Sequence, residues 1–252
     1  MEGKSGKPPP RVQKVRSPPR EKPRKELHPN LPQLPCIMTI IAPTKSGKTN
    51  LLTNLILRDD FYKDIHDNVT IMSNTIEQDV TGRWLKQACD CYTGYSDEVL
   101  GGLITQQKSF SDDDRPFIGM IFDDILGSVK RNSYLNSLVT RSRHFGIGLL
   151  AISVQSFKAL GPVIRNNTNA FICLNLQNMS ELEKISSEYS GMFGGDDNFK
   201  KIYHKATEQR YDFMYLDLQS NPARAFRNFE EQLAEGDRLL FSGSVKKNIQ
   251  ED

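Results

Sequence analysis

A short apolar run over 37–41 leads directly into Ala42-Pro43-Thr44-Lys45-Ser46-Gly47-Lys48-Thr49, and a helical pattern follows from about 48 to 57. No other segment constrains the fold as strongly. Strand, loop and helix in that order place a row of backbone N–H groups at the positive end of a helix, where phosphate oxygens are held. The usual fingerprint is G-x-x-x-x-G-K-[ST]. Here Ala42 stands at the first glycine position, while Gly47, Lys48 and Thr49 are intact. Alanine costs little there if the position does not need a positive φ. The segment therefore predicts a phosphate loop for ATP or GTP, with Thr44, Lys45, Ser46, Gly47, Lys48, Thr49 and Asn50 around the phosphates. Lys48 would reach the β- and γ-phosphates and the Thr49 hydroxyl would meet Mg²⁺. On this reading Lys48 is a surface charge awaiting phosphate.

A second motif fits the first. The apolar stretch over 117–122 ends in Asp123-Asp124. A strand that closes on a carboxylate is the Walker B arrangement, in which Asp123 would hold Mg²⁺. Asp124 is placed to act as general base or to orient the attacking water; its other reading is a cap on the following segment. Two adjacent acids on a strand end are costly without a cation nearby.

Further along, Arg141-Ser142-Arg143-His144 lies between a helical pattern over 132–143 and an apolar strand over 147–154. Arg141 or Arg143 could stabilise a transferring phosphoryl group, in the same chain or in a neighbouring subunit. Both also suit a solvated helix end. His144 reads as a packing or capping residue. The strand closes on Gln155, which in a parallel sheet would sit beside the nucleotide and sense the γ-phosphate or orient water. Arg165-Asn166-Asn167 follows a Gly-Pro turn and reads as a loop or a subunit boundary.

The remaining pattern alternates apolar runs with helices. Strands are expected over 69–72, 171–174 and 213–216, and helices near Trp84, over 97–109 and over 180–190. Trp84 and the phenylalanines are expected in the core. Continuous apolar strands interleaved with helices predict an α/β fold, a mainly parallel sheet with helices on both faces.

Charge divides the chain. Residues 1–26 hold nine Lys or Arg against three acids, leaving 24 basic and 28 acidic residues elsewhere. The positive field thus belongs to a tail rather than to the whole surface. Residues 1–33 are Pro-rich and basic and are expected to be disordered. They form either an electrostatic arm for phosphates or acidic protein, or a solubilising tail. An ATPase domain is expected over 34–232 and a polar C-terminal tail over 233–252. Cys36, Cys89, Cys91 and Cys173 lack zinc spacing and read as reduced thiols. No run of about 18 apolar residues is present, so no membrane span is expected. The N-terminus shows no signal-peptide pattern, so secretion is not expected either.

Taken together, IIAPTKSGKTNLL, VTIMSN, GMIFDDIL and TRSRHFGIGLLAISVQSFKALGPVIRNNTNAFICLNL resemble the FtsK/HerA-type genome-packaging ATPases of large DNA viruses and virophages. The resemblance covers roughly 36–218. It implies a RecA-like P-loop NTPase fold and a homo-oligomeric ring that threads double-stranded DNA into a preformed capsid. It also implies a virus-encoded protein working in the host cytoplasm or the virion, with a capsid or portal protein as a further partner. Lys48 and Thr49 match the Walker A residues, Asp123 and Asp124 the Walker B pair, and Gln155 the sensor. Arg143 and Arg141 fall where a trans-acting arginine would lie. Ala42 departs from the pattern, and so does Asp124, where cellular relatives usually carry Glu. Bacterial relatives have membrane segments and a winged-helix domain that this sequence lacks, so a stand-alone motor is expected. The rival enzyme class is a P-loop small-molecule kinase. A GTPase switch is disfavoured because no N/T-K-x-D motif closes a strand.

Overall fold

The apolar runs form strands, and their burial dictates the architecture. The computed structural model describes residues 25–78, 80, 82–129 and 134–241. In chain order the elements are β1 (Cys36–Ile41), α1 (Lys48–Leu57), β2 (Asn68–Ser73), α2 (Arg83–Ala88), β3 (Asp90–Thr93) and α3 (Asp97–Ser109). There follow β4 (Ile118–Asp123), α4 (Tyr134–Arg141), β5 (Ile147–Val154), α5 (Pro162–Asn167), β6 (Ala170–Leu174), α6 (Met179–Tyr189) and α7 (Asp196–Ala206). The chain then runs through β7 (Phe213–Asp217), β8 (Arg224–Arg227), β9 (Glu231–Glu235) and β10 (Arg238–Leu239).

Every residue of β1, β4, β5, β6 and β7 is buried, so these strands need cover on both sides. All strands join one sheet in the order β10-β9-β8-β7-β6-β1-β5-β4-β2-β3. From β6 to β3 the pairing is parallel. From β6 outward through β7, β8, β9 and β10 it is antiparallel.

Two apolar layers flank the sheet. Leu51, Leu52, Leu55 and Ile56 of α1, with Leu85 of α2, pack on one face. The other takes Leu100 and Ile104 of α3, Leu135, Leu138 and Val139 of α4, Ile164 of α5, Leu182 and Ile185 of α6, and Phe199, Ile202 and Tyr203 of α7. The expected α/β architecture, helices on both faces of a mainly parallel sheet, is the one observed.

Several expectations change in detail. The helix expected over 132–143 is α4, which stops at Arg141, and a 3₁₀ turn (Ser142–Phe145) completes the passage to β5; residues 132 and 133 lie outside the described residues. Trp84 is 50% exposed and stacks under the Arg83 guanidinium at 4.8 Å rather than entering the core, because α2 is short and buries only Leu85. The C-terminal boundary expected at 232 falls inside β9, where Leu233 and Ala234 are buried. Of the expected tail over 1–33, residues 1–24 lie outside the described residues. Leu31 is buried, and the buried Tyr62 hydroxyl donates to the Pro32 carbonyl at 2.8 Å.

Candidate active site

Ligands in sheets of this kind bind beyond the carboxyl ends of the strands. At that edge β1 passes into the phosphate loop. Ala42 is fully buried, has no positive φ, and donates its N–H to the Val154 carbonyl at 2.9 Å, so alanine is accommodated. The loop then needs unusual backbone angles. Lys45 lies at φ 64 and Gly47 at φ 101. Gly47 is the N-cap of α1, and no side chain caps that helix. The first N–H groups of α1 therefore face outward as an anion site. Thr44, Lys45 and Asn50 are exposed, while Ser46, Gly47, Lys48 and Thr49 are half-buried. The Ser46 hydroxyl is buried without a hydrogen-bond partner.

Two strands away, Asp123 ends β4. Ser73 at the end of β2 donates to its Oδ2 at 2.9 Å, and Ser153 of β5 donates to Oδ1. Asp124 follows in the left-handed region at φ 53, pinned by its N–H to the Ser153 carbonyl at 3.1 Å and by Asn74 Nδ2 to its own carbonyl at 2.8 Å. Its carboxylate therefore turns toward the phosphate loop rather than capping a following helix. The Lys48 ammonium stands 2.8 Å from Asp123 Oδ1 and donates to Asp124 Oδ2. Lys48 is thus not the free surface charge expected; its side chain is 12% exposed. Gln155 Nε2 donates to Asp124 Oδ2 at 3.3 Å. The structure brings together Lys48, Asp123, Asp124 and Gln155, and sets Thr49 at the start of α1 beside them.

The turn after Gln155 is held by a residue that the sequence did not single out. Glu181 Oε2 accepts from the Ser156 hydroxyl at 2.9 Å and the Phe157 N–H at 2.8 Å. Burial pushes this carboxyl up, but hydrogen bonds from Lys184, Ser156 and the Phe157 N–H outweigh it and hold the pKa below the usual range. Ser73 and Ser153 were also missed. Their signal was a serine at or next to the carboxyl end of a largely apolar strand.

Arg141 and Arg143 lie elsewhere. They are exposed and precede β5, at the amino edge of the parallel strands. At about 3.3 Å per residue, β5 alone separates them from the acids by roughly 25 Å, beyond any side chain's reach. Action on the phosphates of the same chain is thereby excluded. Arg143 and His144 line a cleft with Cys36, Asn167 and Asn169. Arg165 is tied to Glu188 at 2.6 Å, and its buried Nε has no hydrogen-bond partner. The four cysteines are free. Burial pushes the Cys36 and Cys89 thiols up to about 12, so they stay protonated at neutral pH.

No protein-family model matches the chain, and no curated protein does. Among solved structures it is similar to B204, the DNA-packaging ATPase from Sulfolobus turreted icosahedral virus. The TM-score is 0.56 at 16% identity, over 75% of this chain and 96% of that one. It is similar as well to the genome packaging NTPase B204 from Sulfolobus turreted icosahedral virus 2 in complex with ATP-γS. There the TM-score is 0.55 at 17% identity, over 75% of this chain and 95% of that one. At such identities the shared property is the fold. This chain has the P-loop NTPase fold found in viral genome-packaging ATPases, the class that the resemblance of its segments implied.

Proposed function

We propose that the chain hydrolyses ATP as a motor that moves double-stranded DNA into a viral capsid, working as a homo-oligomeric ring. The observation that carries the reading is the Lys48–Asp123–Asp124–Gln155 cluster at the mouth of an uncapped helix, on a fold shared with packaging NTPases. Triphosphate would draw Lys48 from the carboxylates to its own oxygens and release Asp124. A water held by Gln155 and Asp124 would attack the γ-phosphorus. Its proton passes to Asp124, the bond to the β-phosphate oxygen breaks, and ADP and phosphate leave. An amide hydrogen-bonded to a carboxylate beside the phosphate loop suits positioning of water, which favours hydrolysis over transfer to a small-molecule acceptor.

The residues fit Mg²⁺. Among the described residues no group of three or more His, Cys, Asp or Glu converges. An ion here would rest on Asp123, the Thr49 hydroxyl, phosphate oxygens and water, the hard-oxygen set with few carboxylates that Mg²⁺ prefers. The hydroxyls of Ser73 and Ser153 fix Asp123 in one orientation. Bound there, Mg²⁺ would neutralise charge on the transferring phosphate.

DNA would be met by the basic N-terminal residues, and a capsid or portal protein would anchor the ring. A viral origin follows from the same reading. No helix among the described residues is long and apolar enough to cross a membrane. The test is the ATPase rate with and without double-stranded DNA. Strong stimulation is expected; hydrolysis indifferent to DNA would overturn the motor, and no hydrolysis at all would overturn the enzyme.

A further inference from the structure

The phosphate loop has two flanks, and only one carries the acids. β4, with Asp123, lies two strands from β1 on one side, across β5. On the other side come β6 and then β7. Ile41 pairs with Cys173 at the end of β6, and Leu174 pairs with Phe213 at the beginning of β7. Because β7 runs antiparallel, the turn that enters it opens at the same sheet edge as the phosphate loop.

That turn presents Tyr211. Its ring lies against Gly47, with Cδ1 3.1 Å from the point a Cβ there would occupy. Gly47 is thus demanded twice, by its φ of 101 and by the ring beside it. Tyr211 is nevertheless 54% exposed, so the ring covers the glycine without being absorbed into the core. It stands at φ 74, a region a bulky residue seldom adopts, and such outliers point toward function. The Arg210 guanidinium sits 4.7 Å from the ring centroid.

The pose is braced. The Asp212 N–H donates to the Gln209 carbonyl at 3.2 Å, and Asn228 Nδ2 donates to Asp212 Oδ1 at 3.0 Å. Asn228 Oδ1 in turn accepts from the Phe213 N–H at 3.1 Å. These bonds fix the turn that enters β7, and with it the backbone of Tyr211.

We infer that Tyr211, with Arg210 on its ring, is the platform on which the base of the nucleoside triphosphate stacks. The inference rests on the phosphate-loop reading above. If the terminal phosphate points to Asp123 and Asp124, the chain of phosphates leaves the loop toward the opposite flank, and Tyr211 is the aromatic surface standing there. Stacking uses the π-face common to all bases, so this contact binds adenine and guanine nucleotides alike.

The experiment measures binding of a non-hydrolysable ATP analogue, its GTP counterpart and inorganic tripolyphosphate, each with Mg²⁺, to the full chain. Tyr211→Ala should weaken both nucleotides by about tenfold or more and leave tripolyphosphate within about twofold, since base–aromatic stacking is worth that much and the polyphosphate has no base. Tyr211→Phe should bind as wild type, because the hydroxyl plays no part. Unchanged nucleotide binding in Tyr211→Ala would overturn the platform. So would equal losses for nucleotide and tripolyphosphate, which would make the ring a brace on the loop. If wild-type protein bound none of the three ligands, the phosphate-loop reading itself would fall, and the platform with it.

Discussion

Lys48→Met isolates the charge of the phosphate loop, and its effect on folding can be worked from the geometry of the site. The substitution keeps the alkyl stem and removes the ammonium that stands 2.8 Å from Asp123 Oδ1 and contacts Asp124. The two carboxylates are 9% and 14% exposed and would face each other without a cation. Breaking a fully buried pair costs ~3–5 kcal/mol. Here the Ser73 and Ser153 hydroxyls still serve Asp123, and water reaches the rim, so we expect about 2–3 kcal/mol, near the net worth of one hydrogen bond to a charged group. For a folded unit of this size that lowers Tm by about 4–12 °C. The assay is urea and thermal unfolding followed by circular dichroism at low salt, without nucleotide. Asp124→Asn added to Lys48→Met should restore about 1 kcal/mol, because the repulsion it relieves exists only in that background. A Lys48→Met protein that melts with wild type, or a double variant no more stable than the single, would refute the argument. Lys48→Met should also lose ATP hydrolysis.

Asp123→Asn should weaken Mg²⁺-dependent nucleotide binding, while Asp124→Asn should bind normally and turn over about 10²–10⁴-fold more slowly, a difference read from binding and single-turnover assays. Asp217 is pushed up by burial but held below the ordinary carboxylate value of 3.8 by Ser220, Arg224 and the Gln219 N–H. Its stabilising contribution is complete above that value and is lost as pH falls toward the depressed one, so Asp217→Asn should cost about 1–3 kcal/mol at pH 7, narrowing near pH 3 in urea melts. Removing residues 1–24, with eight of the 33 Lys and Arg, should lower DNA affinity and flatten its salt dependence by ~0.9 for each phosphate no longer neutralised, leaving basal hydrolysis intact. Arg143→Ala should be inactive alone yet regain turnover when mixed with Lys48→Ala, read as ATPase rate against mixing ratio; no recovery at any ratio, for Arg143 or Arg141, would leave these arginines as a solvated turn.

The parallel core was legible because burial on two faces forces continuous apolar runs. β1, β4 and β5 each announce themselves as four or more Ile, Leu, Val, Phe or Met in a window bounded by polar turns, and β6 as an unbroken apolar run, AFICL. Where that pressure is absent the pattern fades. β3 is an edge strand of four residues, DCYT, none fully buried, and nothing in it demands extension. α7 carries Phe199, Ile202, Tyr203 and Ala206 at helical spacing, a readable signal that the Gly-Gly pair before it obscures. β8, β9 and β10 are two to five residues long and rich in charge, and their register is set by successive antiparallel pairing outward from β7, which is remote information. Trp84 misled because a lone tryptophan invites a core assignment, while α2 is too short to bury a second large side chain.

The site divides along the same line. Residues that belong to one strand end or one loop, Lys48, Asp123, Asp124 and Gln155, could be named from order alone, since parallel strands deliver every carboxyl end to one edge. Tyr211 could not, because it reaches that edge only through the reversal of β7, and reversal is set by pairing rather than by local pattern. The arginines follow the converse logic. A residue just before a parallel strand is delivered to the amino edge, so Arg141 and Arg143 face away from their own phosphate loop. If they meet a phosphate, it belongs to a second copy whose carboxyl edge faces this amino edge. Such a contact joins two different surfaces, and a head-to-tail contact of that kind closes into a ring when its rotation permits. Action by these two arginines on a phosphate thus asks for a head-to-tail contact between copies, a contact that the proposed ring contains.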